Sequence, residues 1–363
     1  MLIDPLASLR NLPRLALAHL PTPMETMPRL AAQLDLAALW VKRDDCTGLG
    51  LGGNKVRKLE FDLASALDAQ ADCVVCGGVV QSNTARQVAA ACAKIGIECH
   101  LGIMRGRLPS TEPGYEDTGN ILLDRLYGAI IHDIPWDEDR NLRLRRIADD
   151  LKAAGRQPYL VPYGASDALG AMGYVVAAEE IVRDCPNVAW IVHGSGSAGT
   201  QAGLLAGLLA LDHPARVIGV DVDAQPERVR ADVSRVGRQA AALLGIEHRW
   251  KEERVEVAAE WSAGAYGVAD ETTEEAIRLA ARYEALALDP VYSGKSMAGL
   301  IGLSRQGRFG DGGLVVWIHT GGGPGIFAYP ATMARLSSHA PREGPLSPRA
   351  ALRVGYQASG FNH

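Results

Sequence analysis

The stretch KRDDCTGLGLGGNKVRKLEF places Lys55 directly after four glycines, Gly48, Gly50, Gly52 and Gly53, where a strand-like run gives way to a helical pattern near Asn54. A lysine in the first turn of a helix sits at the positive end of the helix dipole, which disfavours the ammonium and eases formation of the neutral amine. That is the form needed to make an imine with a carbonyl group. By position alone Lys55 fits equally well a solvated surface residue like Lys58. The apolar stripe of the helix is Val56, Leu59, Leu63 and Leu67, and Lys55 stands beside it.

Four further stretches carry polar groups at glycine-rich turns. In GGVVQSNTARQ a helix starts at Ser82, and its first N–H groups, with the Ser82 hydroxyl and the Asn83 amide, suit a carboxylate or phenolate oxygen or plain N-capping. In AWIVHGSGSAGTQAG a strand feeds Gly194 to Thr200 before a leucine-rich helix. Glycines there let the backbone approach a phosphate, and the Ser197 and Thr200 hydroxyls can satisfy its oxygens. That loop also fits G-x-G-x-x-G, with Asp221 ending the next strand, so an NAD-dependent dehydrogenase is the competing class. Against it, a dinucleotide enzyme gives no reason for the lysine and Ser-Asn loops upstream. LDPVYSGKSMAG and VWIHTGGGPGIFAY put Tyr292 and Thr320 beside glycines at strand ends, and AGAYGV adds Tyr266 in a loop; singly, each fits packing as well as chemistry.

These turns need a scaffold, and the chain supplies one. Eight short apolar runs, near residues 39, 73, 98, 129, 158, 189, 216 and 313, alternate with amphipathic helical stretches, the signature of a mostly parallel α/β fold. Ser82 to Lys94 is expected to be such a helix, capped by Ser82 and closed by Gly96. A length of 363 residues predicts two domains. A net charge of −5 gives no reason to expect nucleic acid or an anionic membrane as partner, so the ligand is expected to be small. Asp4, Pro5, Arg10 and Pro13 interrupt the N-terminal apolar residues, which predicts neither a signal peptide nor a spanning helix. Six scattered cysteines in a long apolar chain predict reduced thiols and a cytoplasmic enzyme, with Cys73 and Cys76 as buried structural thiols rather than a metal or redox pair. The Pro-, Ser- and Arg-rich end, residues 336–363, is expected to be a surface tail that contacts a neighbouring subunit.

Taken in order, GGNKVRKLEF, QSNTARQ, GSGSAGTQAG, LDPVYSGKSMAG and HTGGGPGIFAY resemble the D-cysteine desulfhydrase and 1-aminocyclopropane-1-carboxylate (ACC) deaminase family of fold type II pyridoxal-phosphate (PLP) enzymes, tryptophan synthase β-like in architecture. The resemblance runs from about Pro21 to Tyr329. It implies a larger domain from residues 1–56 and 170–335, a smaller one from 57–169, and PLP in the cleft between two twisted, mostly parallel sheets. Lys55 matches the Schiff-base lysine, Asn83 the residue bonded to the phenolic oxygen, and Gly196, Ser197, Ala198, Gly199 and Thr200 the phosphate cup. Thr320 matches the position facing the pyridine nitrogen. Ser82, Tyr266 and Tyr292 match hydroxyls that bind substrate or move protons, and Thr84 stands with Ser82, Asn83 and Tyr292 in the substrate region.

The implied activity is a lyase of amino-acid metabolism that breaks a bond at Cβ of a small 3-substituted amino acid. Ser293 and Thr320 stand where ACC deaminases carry Glu and Leu, which favours the desulfhydrase branch and D-cysteine, split to pyruvate, ammonia and hydrogen sulfide. Thr84 replaces the histidine common in desulfhydrases, and YGASD replaces a Gly-Gly-Ser-Asn pattern, so L-cysteate or another 3-substituted alanine, and then ACC, remain alternatives. Arg86 is the cation near the motifs that would favour a sulfonate, if it faces the site. A homodimer is expected by analogy. Binding PLP without catalysis is the remaining rival, and the retained lysine and hydroxyls argue against it.

Overall fold

The structure, a computed structural model, describes residues 6–108, 111–310 and 312–338. Ten strands form two sheets. The larger combines β1 (Met24–Thr26), β2 (Ala38–Lys42), β7 (Val188–Ser195), β8 (Arg216–Asp221), β9 (Glu256–Ala258) and β10 (Leu314–Ile318) in the order β1-β2-β10-β7-β8-β9. Only the β1–β2 pair is antiparallel. The smaller sheet, order β5-β4-β3-β6, is wholly parallel and uses β3 (Cys73–Val79), β4 (Glu98–Arg105), β5 (Ile130–Pro135) and β6 (Pro158–Leu160).

Each of the eight expected apolar runs overlaps a strand. The two strands without a sequence signal, β1 and β9, are three-residue edge strands that include Glu25, Thr26 and Glu256, whereas the equally short β6 lies in the apolar run PYLVPYG. β3 is buried at every position, as a parallel strand covered on both faces must be. The helix Asn83–Ile95 has Ser82 as N-cap, whose hydroxyl accepts from the Ala85 N–H, and closes on Gly96 at φ 75°. Cys73 and Cys76 are buried on β3; of the six unpaired cysteines Cys46 alone is exposed. Among the described residues no helix is long and apolar enough to cross a membrane. The helix Pro330–Ser338 runs into the expected tail, whose residues 339–363 lie outside the described ones.

The helix Lys55–Asp68 departs from the expected stripe. Val56, Leu59 and Leu63 are fully buried, but Leu67 is 40% exposed while Arg57, Lys58, Glu60 and Asp62 are inside. Lys58 is therefore not a solvated surface lysine. Amphipathic periodicity misses this because most of these charges are met by partners far away in sequence. Arg57 Nη2 donates to Thr22 Oγ1 (2.9 Å), Asp44 Oδ1 (2.9 Å) and Glu180 Oε2 (2.8 Å). Lys42 Nζ lies 2.7 Å from Glu180 Oε2, and the Tyr174 hydroxyl donates to Asp44 Oδ2 at 2.6 Å. Glu60 accepts from Arg14 and from the N–H groups of Leu17 and Ala18.

Burial pushes the Glu180 carboxyl up, but the Arg57 hydrogen bonds and the charges of Arg57 and Lys42 outweigh it and hold the group down at about 2. A carboxylate depressed in the fold gives stability that is complete above its ordinary value of 4.5 and lost as pH falls through about 2. Removing the guanidinium leaves buried Asp44 with no cation, only the Thr22 and Tyr174 hydroxyls, and leaves Glu180 with Lys42 alone. Arg57→Met should therefore lower the unfolding free energy by about 3–5 kcal/mol in denaturant titrations at neutral pH. A loss under about 1 kcal/mol, within the range of an exposed ion pair, would show that the network carries little.

Candidate active site

Lys55 is the first residue of its helix, and its backbone neighbours fix where it points. The Asn54 N–H donates to the Thr320 carbonyl at 3.0 Å, and the Asn54 amide donates to Thr200 Oγ1 at 3.1 Å, so one residue ties the helix start to two other turns. Gly52 and Gly53, at φ 73° and 126°, let the preceding loop reach that position. Lys55 Nζ lies 3.2 Å from Ser197 Oγ and 3.4 Å from the Gly164 carbonyl, 7% exposed at the base of a cleft. Burial, which penalises the ammonium, pushes its amine from 10.5 down to about 8.

The turn after β7 leads into the helix Gly199–Ala210, with Ala198 as N-cap at φ 75°. Ser166 Oγ accepts from the Gly199 N–H and from Lys58 Nζ, both at 3.2 Å, and lies 2.9 Å from Ser197 Oγ. A Cβ on Gly199 would meet Ser166 Oγ at 2.7 Å and Lys58 Nζ at 2.9 Å, so glycine is needed for these groups to converge. Burial, and then the Lys55 charge, push the Lys58 amine well below its ordinary value. A second buried lysine, three hydroxyls and a helix N-terminus converge on this turn, the donors that an anion site requires.

On the opposite wall Ser82, Asn83 and Thr84 begin the helix after β3. Arg86, one turn on, points away from the cleft. Its guanidinium donates to Asn120 Oδ1 (2.7 Å) and to the carbonyls of Gly50 and Gly52, and lies 3.4 Å from Asn83 Oδ1. It braces the loop before Lys55 and leaves the Asn83 NH₂ as the free donor; it is not a sulfonate receptor. Tyr292 precedes the helix Ser293–Arg305, its hydroxyl donating to the Gly194 carbonyl at 2.7 Å. Asp289 accepts from the N–H groups of Val291, Tyr292 and Ser293, and the Ser293 hydroxyl is spent on Asp289 Oδ2 at 2.5 Å. Burial drives the Tyr266 and Tyr292 phenols upward, so both are neutral donors at physiological pH. Asp221 accepts from the N–H groups of Asp223 and Gln225, so its carboxylate shapes a turn rather than awaiting a ribose.

Lys55, Ser82, Asn83, Thr84, Gly196, Ser197, Tyr266, Tyr292 and Thr320 line one cleft, although they come from turns spread over most of the chain. Ala198, Gly199 and Thr200 form the first helical turn behind it. Sequence reasoning missed Asn54, Tyr163, Gly164 and Asp223, which also line the cleft, and Lys58 behind it. Asn54 and Lys58 were within the GGNKVRKLEF motif, so their closeness to Lys55 was the available signal. Lys295 was missed as well: its buried ammonium donates to the carbonyls of Val222 (3.2 Å), Ser262 (2.7 Å) and Ala265, which holds the Tyr266 loop.

A family model described as pyridoxal-phosphate dependent enzyme matches residues 15–321. The chain belongs to that family. D-cysteine desulfhydrases of Salmonella typhi and Salmonella enteritidis are each 40% identical over 333 residues, covering 90% of this chain and 98% of theirs. The crystal structure of an ACC deaminase homologue superposes with a TM-score of 0.82 at 34% identity, covering 93% of this chain and 100% of its own. An O-ureido-L-serine synthase at 18% identity and TM-score 0.61 shares the fold. The cofactor of the family is pyridoxal phosphate, and the residues present fit it: a buried amine beside an anion cup, a free amide donor at Asn83 and a neutral hydroxyl at Thr320.

Burial of the amine makes a kinetic prediction. Covalent uptake of pyridoxal phosphate by the apoprotein should speed up as pH rises through about 8, because the neutral fraction of Lys55 grows there. Stopped-flow absorbance across pH reads this directly. A midpoint at the ordinary lysine value of 10.5 would contradict the burial account, and Lys55→Ala should abolish covalent uptake.

Proposed function

We propose that this protein is a lyase that eliminates the β-substituent of a small amino acid, with D-cysteine as substrate and pyruvate, ammonia and hydrogen sulfide as products. One observation carries the reading: a buried amine with a lowered pKa, 3.2 Å from Ser197 Oγ, beside a turn that also gathers a second buried lysine. The likeness to D-cysteine desulfhydrases over nearly their whole length supports the substrate.

Bound pyridoxal phosphate supplies an aldehyde for the substrate amine and a ring that draws electrons from Cα. Gly196, Ser197, Ala198, Gly199 and Thr200, with Lys58, would hold its phosphate; a dianion there would restore the Lys58 ammonium, since an opposite charge favours the charged form. Asn83, whose NH₂ is left free by Arg86, would donate to the phenolic oxygen. Thr320, in the cleft lining, would offer the ring nitrogen a neutral hydroxyl rather than a carboxylate, which would not compel its protonation. Lys55 Nζ, neutral in a large fraction of molecules near pH 8, takes the Cα proton. Ser82, Asn83 and Thr84 receive the substrate carboxylate at a helix N-terminus. Tyr266 would serve proton transfer at the substituent, and Tyr292, which must first release the Gly194 carbonyl to donate, would act with it.

The reading includes a smaller domain of residues 57–169 set against 1–56 and 170–335, supported by the confinement of β3 to β6 to positions 73–160. It also includes a homodimer, by analogy with symmetric small-molecule enzymes, and a cytoplasmic location, supported by five buried unpaired cysteines.

Pyruvate release from D-cysteine, L-cysteate, D-serine and ACC, assayed side by side, tests the substrate. D-cysteine should give the highest kcat/KM, with sulfide released in equal amount, and Lys55→Ala should reduce turnover at least about 1,000-fold. Faster turnover of L-cysteate or ACC would replace the substrate; no pyruvate from any of the four would remove the elimination reading.

A further inference from the structure

The cleft contains three phenols, Tyr163, Tyr266 and Tyr292, and they are not equivalent. The Tyr292 hydroxyl is occupied by the Gly194 carbonyl. The hydroxyls of Tyr163 and Tyr266 donate to no group among the described residues, and each ring is backed by a guanidinium. Arg140 Cζ sits 3.7 Å from the Tyr163 ring centroid, and Arg107 Cζ sits 5.6 Å from that of Tyr266. Arg107 is shared with the Asp223 carboxylate and the Trp136 ring. Arg140 has no carboxylate partner among the described residues, and its Nε is buried without a hydrogen bond, so the Tyr163 ring is its principal partner.

The fold builds this pair deliberately. Tyr163 follows β6 in a short turn, Tyr163–Ala165, whose Gly164 carbonyl accepts from both Lys55 and Lys58. Arg140 opens the helix Arg140–Ala153, capped by Asp139. Its stem crosses β3 at Gly77, where an added Cβ would lie 3.2 Å from Arg140 Cδ and 2.6 Å from Leu144 Cδ1. A glycine in mid-strand thus opens the path by which a guanidinium reaches the back of an active-site tyrosine.

We propose that Tyr163 is a specificity-determining residue that donates a hydrogen bond to the β-substituent as it departs, and that Arg140 is its positioning residue. The inference rests on the β-elimination reading. Lys55 takes the Cα proton, the Cβ–S bond breaks, and its electron pair leaves with sulfur while Cα and Cβ form a double bond. Negative charge then gathers on the leaving atom, and a preorganised O–H aimed at that charge stabilises the transition state more than the ground state. A cation on the ring face holds the phenol in place and strengthens its O–H as a donor. The substrate class that benefits is 3-substituted alanines whose substituent leaves as a hydrogen-bond-accepting anion, a thiolate or sulfite.

The test compares cysteine with 3-chloroalanine, whose chloride leaves with little help, in the enantiomer the protein accepts. Tyr163→Phe keeps the ring and its stacking and should lower kcat/KM for cysteine about 100-fold but for 3-chloroalanine less than about 5-fold. Arg140→Met should lower the cysteine value about 10-fold, and Arg140→Lys, which keeps a cation, should recover most of it. Equal losses on both substrates, or no loss on cysteine, would overturn the proposal. Binding gives an independent readout through the holoprotein's visible absorbance. Aspartate, with an anionic substituent that cannot leave, should bind Tyr163→Phe about 10-fold more weakly relative to alanine than it binds wild type. An unchanged ratio also overturns it. If wild type releases no pyruvate from either substrate, the elimination reading falls, and the aspartate ratio alone decides Tyr163.

Discussion

The first turn of the helix Lys55–Asp68 is held by a buried guanidinium, and the geometry of the cleft depends on it. Arg57 reaches Asp44 next to the glycine loop, Thr22 before β1 and Glu180 on the helix Ala168–Asp184. Those contacts leave the helix little freedom to rotate or slide. Lys55 lies two residues before Arg57 and Lys58 one after it, and both turn towards the Ser166 and Ser197 hydroxyls. A charge network of this kind is a poor source of net stability compared with an apolar core. What it provides is a single orientation, and an imine-forming amine needs its nitrogen in one place.

Desolvation acts twice on this turn. It lowers the amine of Lys55 to about 8, which leaves a large fraction of it neutral at physiological pH. It also lowers Lys58, whose charge is recovered only beside an anion. Two lysines three residues apart on one helix therefore take different roles because one faces the open cleft and the other the base of the helix Gly199–Ala210. The same sorting applies to the carboxylates: Asp44 and Glu180 are paired, Asp221 and Asp289 accept backbone N–H groups, and Asp223 meets two arginines.

Much of this was readable in the sequence because glycines and strand ends mark where ligands go. Lys55, Ser82, Asn83, Gly196 and Thr320 stand at turns after apolar runs, and open α/β sheets collect their ligands at the carboxyl ends of strands. The edge strands β1 and β9 gave no signal, being three residues long and partly polar, while the equally short β6 was marked by the apolar residues around it. Lys58 was misleading and Arg57 went unnoticed for a different reason. Periodicity assigns charged positions to solvent, and it cannot register partners such as Glu180 or Ser166, which lie more than 100 residues away. Arg86 could not be oriented for the same reason; its acceptors are carbonyls of a loop some 34 to 36 residues upstream.

Substrate choice in this cleft then turns on groups that lie behind its wall. The charged side chains lining the cleft itself are Lys55 and Asp223, and Asp223 is already held by Arg107 and Arg228. With the nearest candidate, Arg86, turned to the glycine loop, no guanidinium among the described residues stands free in the cleft to grip an anionic substituent. A direct ion pair would already bind such a substituent before the bond breaks, and so would favour the ground state along with the transition state. Cations placed behind neutral phenols act in the opposite sense. They do little for a neutral thiol on entry and more once charge has built up on the departing sulfur, which is the difference that accelerates elimination.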